Sequence, residues 1–114
     1  MSTAHLEALD GGRFRISGVL DAMTVVSLLK ESEKAFHGLA HVDVDLAPVT
    51  ESDSSGLALL IEWLRLAKIA GRDIHFQNMP AQIEALARIS EVEDLLANNR
   101  VNHDAASQEA AAQS

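Results

Sequence analysis

The chain has 114 residues, of which 47% are apolar, so it can bury the core of one domain but not of two. A net charge of −8 at pH 7 disfavours binding to nucleic acids and to anionic membranes, because both depend on Lys and Arg meeting phosphate groups. The absence of cysteine excludes disulfides and thiolate metal sites.

The first third of the chain predicts a hairpin followed by an amphipathic helix. Leu6–Leu9 is expected to form a short edge strand, and Asp10-Gly11-Gly12 is a strong turn signal. Arg13–Ser17 alternates polar and apolar residues, as a half-buried strand does. Apolar residues then recur at helical spacing, which predicts a helix capped near Thr24 and stopped at Gly38.

The middle third predicts a strand, a polar loop and the longest helix. Apolar and polar side chains alternate over Val42–Leu46, and the predicted strand ends before Pro48. A polar loop is expected to follow. The helix is then predicted to run from Ser54 or Ser55 to Ala70, with Gly71 at its C-terminal cap.

The last third predicts a strand, one more clear helix and a tail. Ile74–Phe76 is expected to be a strand, and Pro80 is well placed to open a helix over Ala81–Ile89. The inner face of that helix is predicted to contain Ile83, Leu86, Ala87 and Ile89. A final short helix is expected to contain Val92, Leu95 and Leu96. From Asn98 onward the composition shifts to Asn, Ala, Gln and Ser, which predicts a disordered tail.

These elements together predict an α/β fold. Helical crossovers between neighbouring strands require parallel pairing, whereas the hairpin is antiparallel, so we expect a small mixed sheet of about four to five strands with about four helices. The domain is expected to span residues 1–97 and the tail residues 98–114. No secretory signal opens the sequence, and charged residues interrupt its most apolar stretch, Leu57–Ala70, so a cytoplasmic domain is expected.

The most informative segment is the polar run Ser52-Asp53-Ser54-Ser55-Gly56, where a predicted strand gives way to the longest helix. Asp and Ser oxygens accept hydrogen bonds from the unpaired amides of a first helical turn, so this run is expected to cap the helix. The same amides and the helix dipole would favour a phosphate on a nearby serine. An ordinary helix cap and a modification site therefore both remain open.

This run resembles a known family signature. Asp53-Ser54-Ser55-Gly56-Leu57, between a Val/Leu strand and a Leu-rich helix, resembles the signature of STAS domains. Ser17-Gly18-Val19-Leu20-Asp21, followed by Thr24, resembles the other recurrent element of that family. Within the family, residues 56–60, 63–68 and 78–87 are most similar to the MlaB subfamily.

The resemblance to the MlaB subfamily implies a non-catalytic subunit, without cofactors, of a phospholipid-transporting ABC complex that maintains outer-membrane lipid asymmetry. Its partner would be the MlaF-like cytoplasmic ATPase, and through it the chain would associate peripherally with the inner membrane. The implied contact residues are Leu29, Ser52, Asp53, Ser54, Ser55 and Gly56. The same family implies an alternative: an anti-anti-sigma factor whose Ser54 is phosphorylated by an anti-sigma kinase. Such factors usually carry apolar residues before the Asp, where this chain has Glu51-Ser52.

The predicted long helix has an apolar arc of roughly 180° at 3.6 residues per turn. Packing on one sheet face needs somewhat more than ~100°, so one edge of the helix is expected to stay exposed unless a partner covers it. Trp63 is the best candidate for this contact, because tryptophan is favoured at interface hot spots. Two alternatives remain: a neighbouring helix covers Trp63, and Leu29 packs in the core.

No residue set in the sequence indicates catalysis or metal binding. The five histidines show no pair at metal-ligand spacing on one element and are interpreted as surface or strand-end residues: His5, His37, His41, His75 and His103. Asp43 and Asp45 share one strand face and are interpreted as solvated side chains. Ser54 and Ser55 do not lie in a nucleophile elbow. We therefore expect neither a catalytic residue nor a metal ligand.

Overall fold

The computed structural model describes residues 2–90 and Leu96. These residues contain five strands and three helices. The strands are β1 (Ala4–Ala8), β2 (Arg13–Leu20), β3 (His41–Asp45), β4 (Val49–Ser52) and β5 (Asp73–Gln77). The helices are α1 (Ala22–Ala35), α2 (Ser54–Ala70) and α3 (Ala81–Ile89). The predicted α/β class is confirmed.

The sheet is mixed, as the order of the elements predicted. Its strands follow the order β1-β2-β3-β5, with β1 antiparallel to β2 and every other pairing parallel. The hairpin between β1 and β2 closes at Gly11 and Gly12, whose φ angles of 69° and 77° suit glycine better than any other residue. The predicted hairpin is confirmed, although β1 begins and ends earlier than Leu6–Leu9.

One strand was not predicted. Val49–Ser52, expected as a polar loop, forms β4 and pairs with the C-terminal end of β2. The long strand β2 therefore pairs with β3 through Arg13–Arg15 and with β4 through Gly18–Leu20. The two short strands lie one after the other beside β2 and are separated at Pro48. Proline breaks the alternation that identifies a strand and cannot donate to the ladder, which is why the sequence pattern ended there.

Helices cover one face of the sheet and leave the other open. In β3, β5 and most of β2, every second residue is buried on the helical side, including Phe14, Val42 and Phe76. Their neighbours, such as Asp43 and His75, are half-buried or exposed on what we call the open face. No helix within residues 2–90 is long and apolar enough to cross a membrane.

The helix boundaries follow their capping residues. Helix α2 spans Ser54–Ala70 and ends at Gly71, which adopts a left-handed conformation with φ 69°, as predicted. Helix α3 spans Ala81–Ile89 as predicted, but Ile89 is 78% exposed, so its expected inward position is wrong. At 3.6 residues per turn, Ile89 lies more than about 100° around the helix axis from the buried residues Ile83 and Ala87, so it faces away from the core. Leu96 is helical and buried. Val92, Leu95 and the predicted tail lie outside the described residues.

The cap of α1 differs from the prediction. Asp21, not Thr24, is the N-cap, and Thr24 is the third helical residue. The helix ends at Phe36, before the predicted stop at Gly38. The side chain of Asp21 reaches the first-turn amides because its own backbone is still extended, whereas Thr24 is already inside the helix.

Trp63 is a core residue and not an exposed one, so the prediction that it binds a partner is wrong. Its side chain is 2% exposed, and its ring lies between those of Phe36 and Phe76, at centroid distances of 5.6 and 6.5 Å. Its indole Nε1–H donates a 2.8 Å hydrogen bond to Ser32 Oγ on α1. Helix α1 therefore covers the edge of the apolar arc of α2 that was expected to be exposed.

Candidate partner-binding site

Two helices begin side by side at one edge of the sheet. Helix α1 follows β2 directly after Asp21, and α2 follows β4 directly after Asp53. Leu20 and Ser52 are register partners in the parallel pair of β2 and β4, so both strands end at the same level. The backbone N–H of Asp53 donates to the carbonyl oxygen of Leu20 at 3.1 Å, which ties the start of α2 to the end of β2.

The start of α1 is fixed by a capping box. The Asp21 carboxylate accepts hydrogen bonds from the backbone N–H groups of Met23 and Thr24 at 3.0 and 2.9 Å. The hydroxyl of Thr24 accepts from the backbone N–H of Asp21 and donates to the carbonyl of Val19 at 2.8 Å. The N–H of Thr24 most strongly, then the hydroxyl of Ser2 and the N–H of Met23, hold the pKa of Asp21 below its ordinary value.

The start of α2 is capped more simply and leaves one serine free. The Asp53 carboxylate accepts from the backbone N–H of Ser55 at 2.7 Å, and the hydroxyl of Ser52 donates to the Asp53 carbonyl at 3.0 Å. Ser54, the first residue of α2, is exposed. Its hydroxyl makes no hydrogen bond to another residue in the described part of the chain. Ser54 is therefore available to a second molecule.

Gly56 is required by close packing. A Cβ atom at this position would collide with Ser52 Oγ and would lie 3.2 Å from a methyl group of Leu20 and 3.3 Å from one of Ile83. The first turn of α2 therefore packs tightly against the ends of β2 and β4 and against α3. Because Gly56 is buried, its predicted contact with a partner is indirect: it sets how deep the start of α2 sits.

Two exposed apolar residues extend this surface and were not predicted. Met23 and Val26, on the first two turns of α1, are 83% and 54% exposed. The signal in the sequence was their position: both fall outside the buried stripe of α1, which contains Thr24, Leu28 and Ser32. We call the group formed by half-buried Asp21 and exposed Met23, Val26, Asp53 and Ser54 the cap surface. It borders a shallow cavity of about 220 Å³ between the two helix starts.

The other predicted contact residues lie elsewhere. Leu29 is half-buried and packs against the core from α1, so part of its side chain remains accessible. Trp63 lies two turns further along α2 than Ser54 and is enclosed. The structure therefore brings Ser52–Gly56 together with Asp21, and it separates this group from Trp63.

The chemistry of the cap surface suits recognition. The polar side chains around the cavity are Asp21, Glu51, Ser52, Asp53 and Gln82. The carboxylates of Asp21 and Asp53 already accept hydrogen bonds from helix amides. Among the residues that line the cavity, no histidine or lysine is present that could act as a base toward a serine. The three carboxylates give this edge a negative charge, which disfavours free phosphate and favours a basic group on a partner.

Comparisons with known proteins concern the family and the fold of the chain. The profile of the family described as "Mlab, STAS domain" matches residues 6–97. The chain is 32% identical, over 79 residues, to the intermembrane phospholipid transport system binding protein MlaB of Escherichia coli (strain K12) and to that of Shigella flexneri. The alignments cover 69% of this chain and 79% of each relative.

A solved structure has a similar fold. The anti-sigma factor antagonist SpoIIAA, in its unphosphorylated form, superimposes with a TM-score of 0.60 at 20% sequence identity, covering 96% of both chains. At this identity the likeness concerns the fold.

Proposed function

The chain belongs to the MlaB-type STAS domain family, and on this basis we propose that it is a non-catalytic subunit of a phospholipid-transporting ABC complex, where it binds and regulates the cytoplasmic ATPase. The curated relatives support the transport system, and the cap surface supports the mode of action. In this proposal the chain performs no chemistry. It reaches the inner membrane only through its partner.

The observation that carries the proposal is the composition of the cap surface. A free serine hydroxyl begins α2, and two exposed apolar side chains, Met23 and Val26, lie on the first two turns of α1, which begins next to it. Interfaces combine apolar anchors with a few hydrogen-bonding groups at their centre and a polar rim. Here Met23 and Val26 supply the anchors, Ser54 a hydrogen bond, and the acidic cavity edge the rim. Leu29, which is half-buried and lies one turn beyond Val26 on α1, adds its accessible part to the apolar contact.

Affinity capture from the native cells, with the tagged chain as bait, tests the proposal. We expect the ATPase subunit of an ABC transporter to be recovered with the wild type and lost with Met23→Asp. Ile69→Asp is the matched control, because Ile69 is also exposed (71%) but lies at the opposite end of α2. Recovery of the ATPase by Met23→Asp at the wild-type level would contradict the proposed surface.

The exposure of Ser54 also favours a second function. An exposed serine at a helix start is open to a kinase, and the first-turn amides would stabilise the added phosphate. The chain would then be an anti-anti-sigma factor released from its partner by phosphorylation. Capture of a kinase-type anti-sigma factor, together with a phosphate on Ser54 in mass spectra, would favour this function. Capture of the ATPase with unmodified Ser54 favours the first.

A further inference from the structure

The open face of the sheet carries a second group of interacting side chains, on the opposite side from the helices. His41 and Asp43 lie two residues apart on β3 and therefore point to the same side. Asp43 is the register partner of His75 on β5. Each of the three residues offers one ligand atom, and these atoms lie within 4.8 Å of one another. The spacing of histidines within one element does not reveal this group, because its members lie on two different strands.

The distances in this group are close to those of a metal site. His41 Nε2 lies 3.1 Å from Asp43 Oδ2, and His75 Nδ1 lies 3.8 Å from Asp43 Oδ1. In a tetrahedral zinc site with bonds of 2.0–2.2 Å, neighbouring ligand atoms lie roughly 3.4 Å apart. To hold an ion, the widest pair of ligand atoms, which are up to 4.8 Å apart, would have to move closer by side-chain rotation. The backbone is already fixed, because β3 and β5 are paired along their whole length.

Asp43 is available to a metal, unlike the neighbouring Asp45. Asp45 accepts hydrogen bonds from the N–H of Ala47 and the amide of Asn78, both at 2.9 Å. Among the described residues, the ionic contacts of the Asp43 carboxylate are those with the two histidines. Arg13, its register partner on β2, instead donates to the carbonyl of Asp10 at 3.0 Å. No arginine in this part of the chain neutralises Asp43.

We propose that His41, Asp43 and His75 bind a divalent first-row transition metal ion, with Zn²⁺ the best chemical match. Two imidazoles with one carboxylate suit zinc, whereas magnesium and calcium take sets of oxygen ligands and disfavour the imidazole nitrogens. Three protein ligands leave one position open. Asp73 is the register partner of His41 on the same face, but it is not one of the three residues whose ligand atoms lie within 4.8 Å of one another. The site is independent of the cap surface and of the function proposed for it.

Calorimetric titration of the whole chain with a zinc salt tests this site. We expect one equivalent of zinc to bind, and His41→Ala, Asp43→Asn and His75→Ala each to weaken binding roughly tenfold or more. His5→Ala is the matched control: His5 is an exposed imidazole on the same open face, two strands away on β1. It should bind zinc like the wild type.

Two further readouts make the outcome decisive. Zinc should raise the melting temperature of the wild type and of His5→Ala but not of Asp43→Asn, because a ligand stabilises only the fold that binds it. Cobalt(II) should give the visible absorption bands of a bound, low-coordinate ion in the same two proteins. Zinc binding that persists at wild-type affinity in all three cluster variants would overturn the proposal, and so would its loss in His5→Ala. A wild type that binds no zinc would overturn it as well.

Discussion

Each residue from Asp53 to Gly56 has its own structural role. Asp53 caps α2 through the N–H of Ser55, Ser54 is exposed with a free hydroxyl, and Gly56 lets the helix start approach β2, β4 and α3. The sequence predicted the cap from residue type alone. It could not show that the glycine serves close packing, because the atoms that a side chain would meet belong to Leu20, Ser52 and Ile83.

Gly56→Ala is expected to destabilise the domain. Overpacking typically costs about 1–3 kcal/mol, which outweighs the ~1 kcal/mol that alanine gains over glycine within a helix. Denaturant unfolding should therefore show a net loss of up to about 2 kcal/mol. The double variant Gly56→Ala/Ser52→Ala should recover part of that loss, because it removes the hydroxyl that the new methyl group meets first. A single variant more stable than the wild type would show that the helix start is not tightly packed.

Asp21→Asn is expected to reduce stability at neutral pH but not in acid. Asparagine also caps helices, so the substitution mainly removes the charge. The pKa of Asp21 in the folded chain lies below its ordinary value, so the ionised carboxylate contributes stability in full above the unfolded pKa of about 3.9. That contribution is lost as the pH falls through the folded value. The stability gap between wild type and Asp21→Asn, from urea melts, should close as the pH falls below about 3.9. A gap that is unchanged with pH would contradict this assignment.

At the scale of elements, the sequence predicted what local signals determine. The bounds of α2 and α3 follow from the helix-capping residues Asp53, Gly71 and Pro80, which can be recognised from residue type alone. Strand β4 was missed, because four mostly polar residues after a proline give no alternation to read. The burial of Trp63 was missed, because it depends on how α1 packs against α2, and the width of an apolar arc does not reveal which element covers it.

The contact between α1 and α2 includes one buried hydrogen bond, from Trp63 to Ser32. Ser32→Ala is expected to lower the free energy of unfolding by about 1–3 kcal/mol, because the indole Nε1–H of Trp63 loses its partner inside the core. In a Trp63→Phe background the same substitution should cost less than about 1 kcal/mol, since no donor is left unpaired. Unfolding curves of the four proteins, followed by circular dichroism, measure the coupling. Equal costs in both backgrounds would show that the hydrogen bond contributes nothing.

At the scale of the whole molecule, the two faces of the sheet have different chemistry. The cap surface lies at one end of the helical side and contains exposed apolar residues of α1 and the exposed Ser54 of α2. The open face presents charged and imidazole side chains across β2, β3 and β5. With seventeen acidic and nine basic residues, the chain is expected to approach a partner whose docking site is basic. This division places the proposed ATPase contact and the proposed zinc site on separate surfaces, so each can be tested without disturbing the other.

Titration of the purified ATPase subunit with the wild type, Ser54→Asp and His37→Asp is the decisive measurement for docking through the cap surface. Ser54→Asp should bind at least about tenfold more weakly: the basic groups of the partner are expected opposite the acidic cavity edge, so a carboxylate buried where the neutral hydroxyl docks would stay unpaired, at a cost of about 2–5 kcal/mol. Its free energy of unfolding should change by less than ~1 kcal/mol, since a negative charge suits a helix N-terminus. His37→Asp adds the same charge at an exposed position beyond the far end of α1 and should bind like the wild type. Equal affinity of the wild type and Ser54→Asp for the ATPase would contradict the proposal.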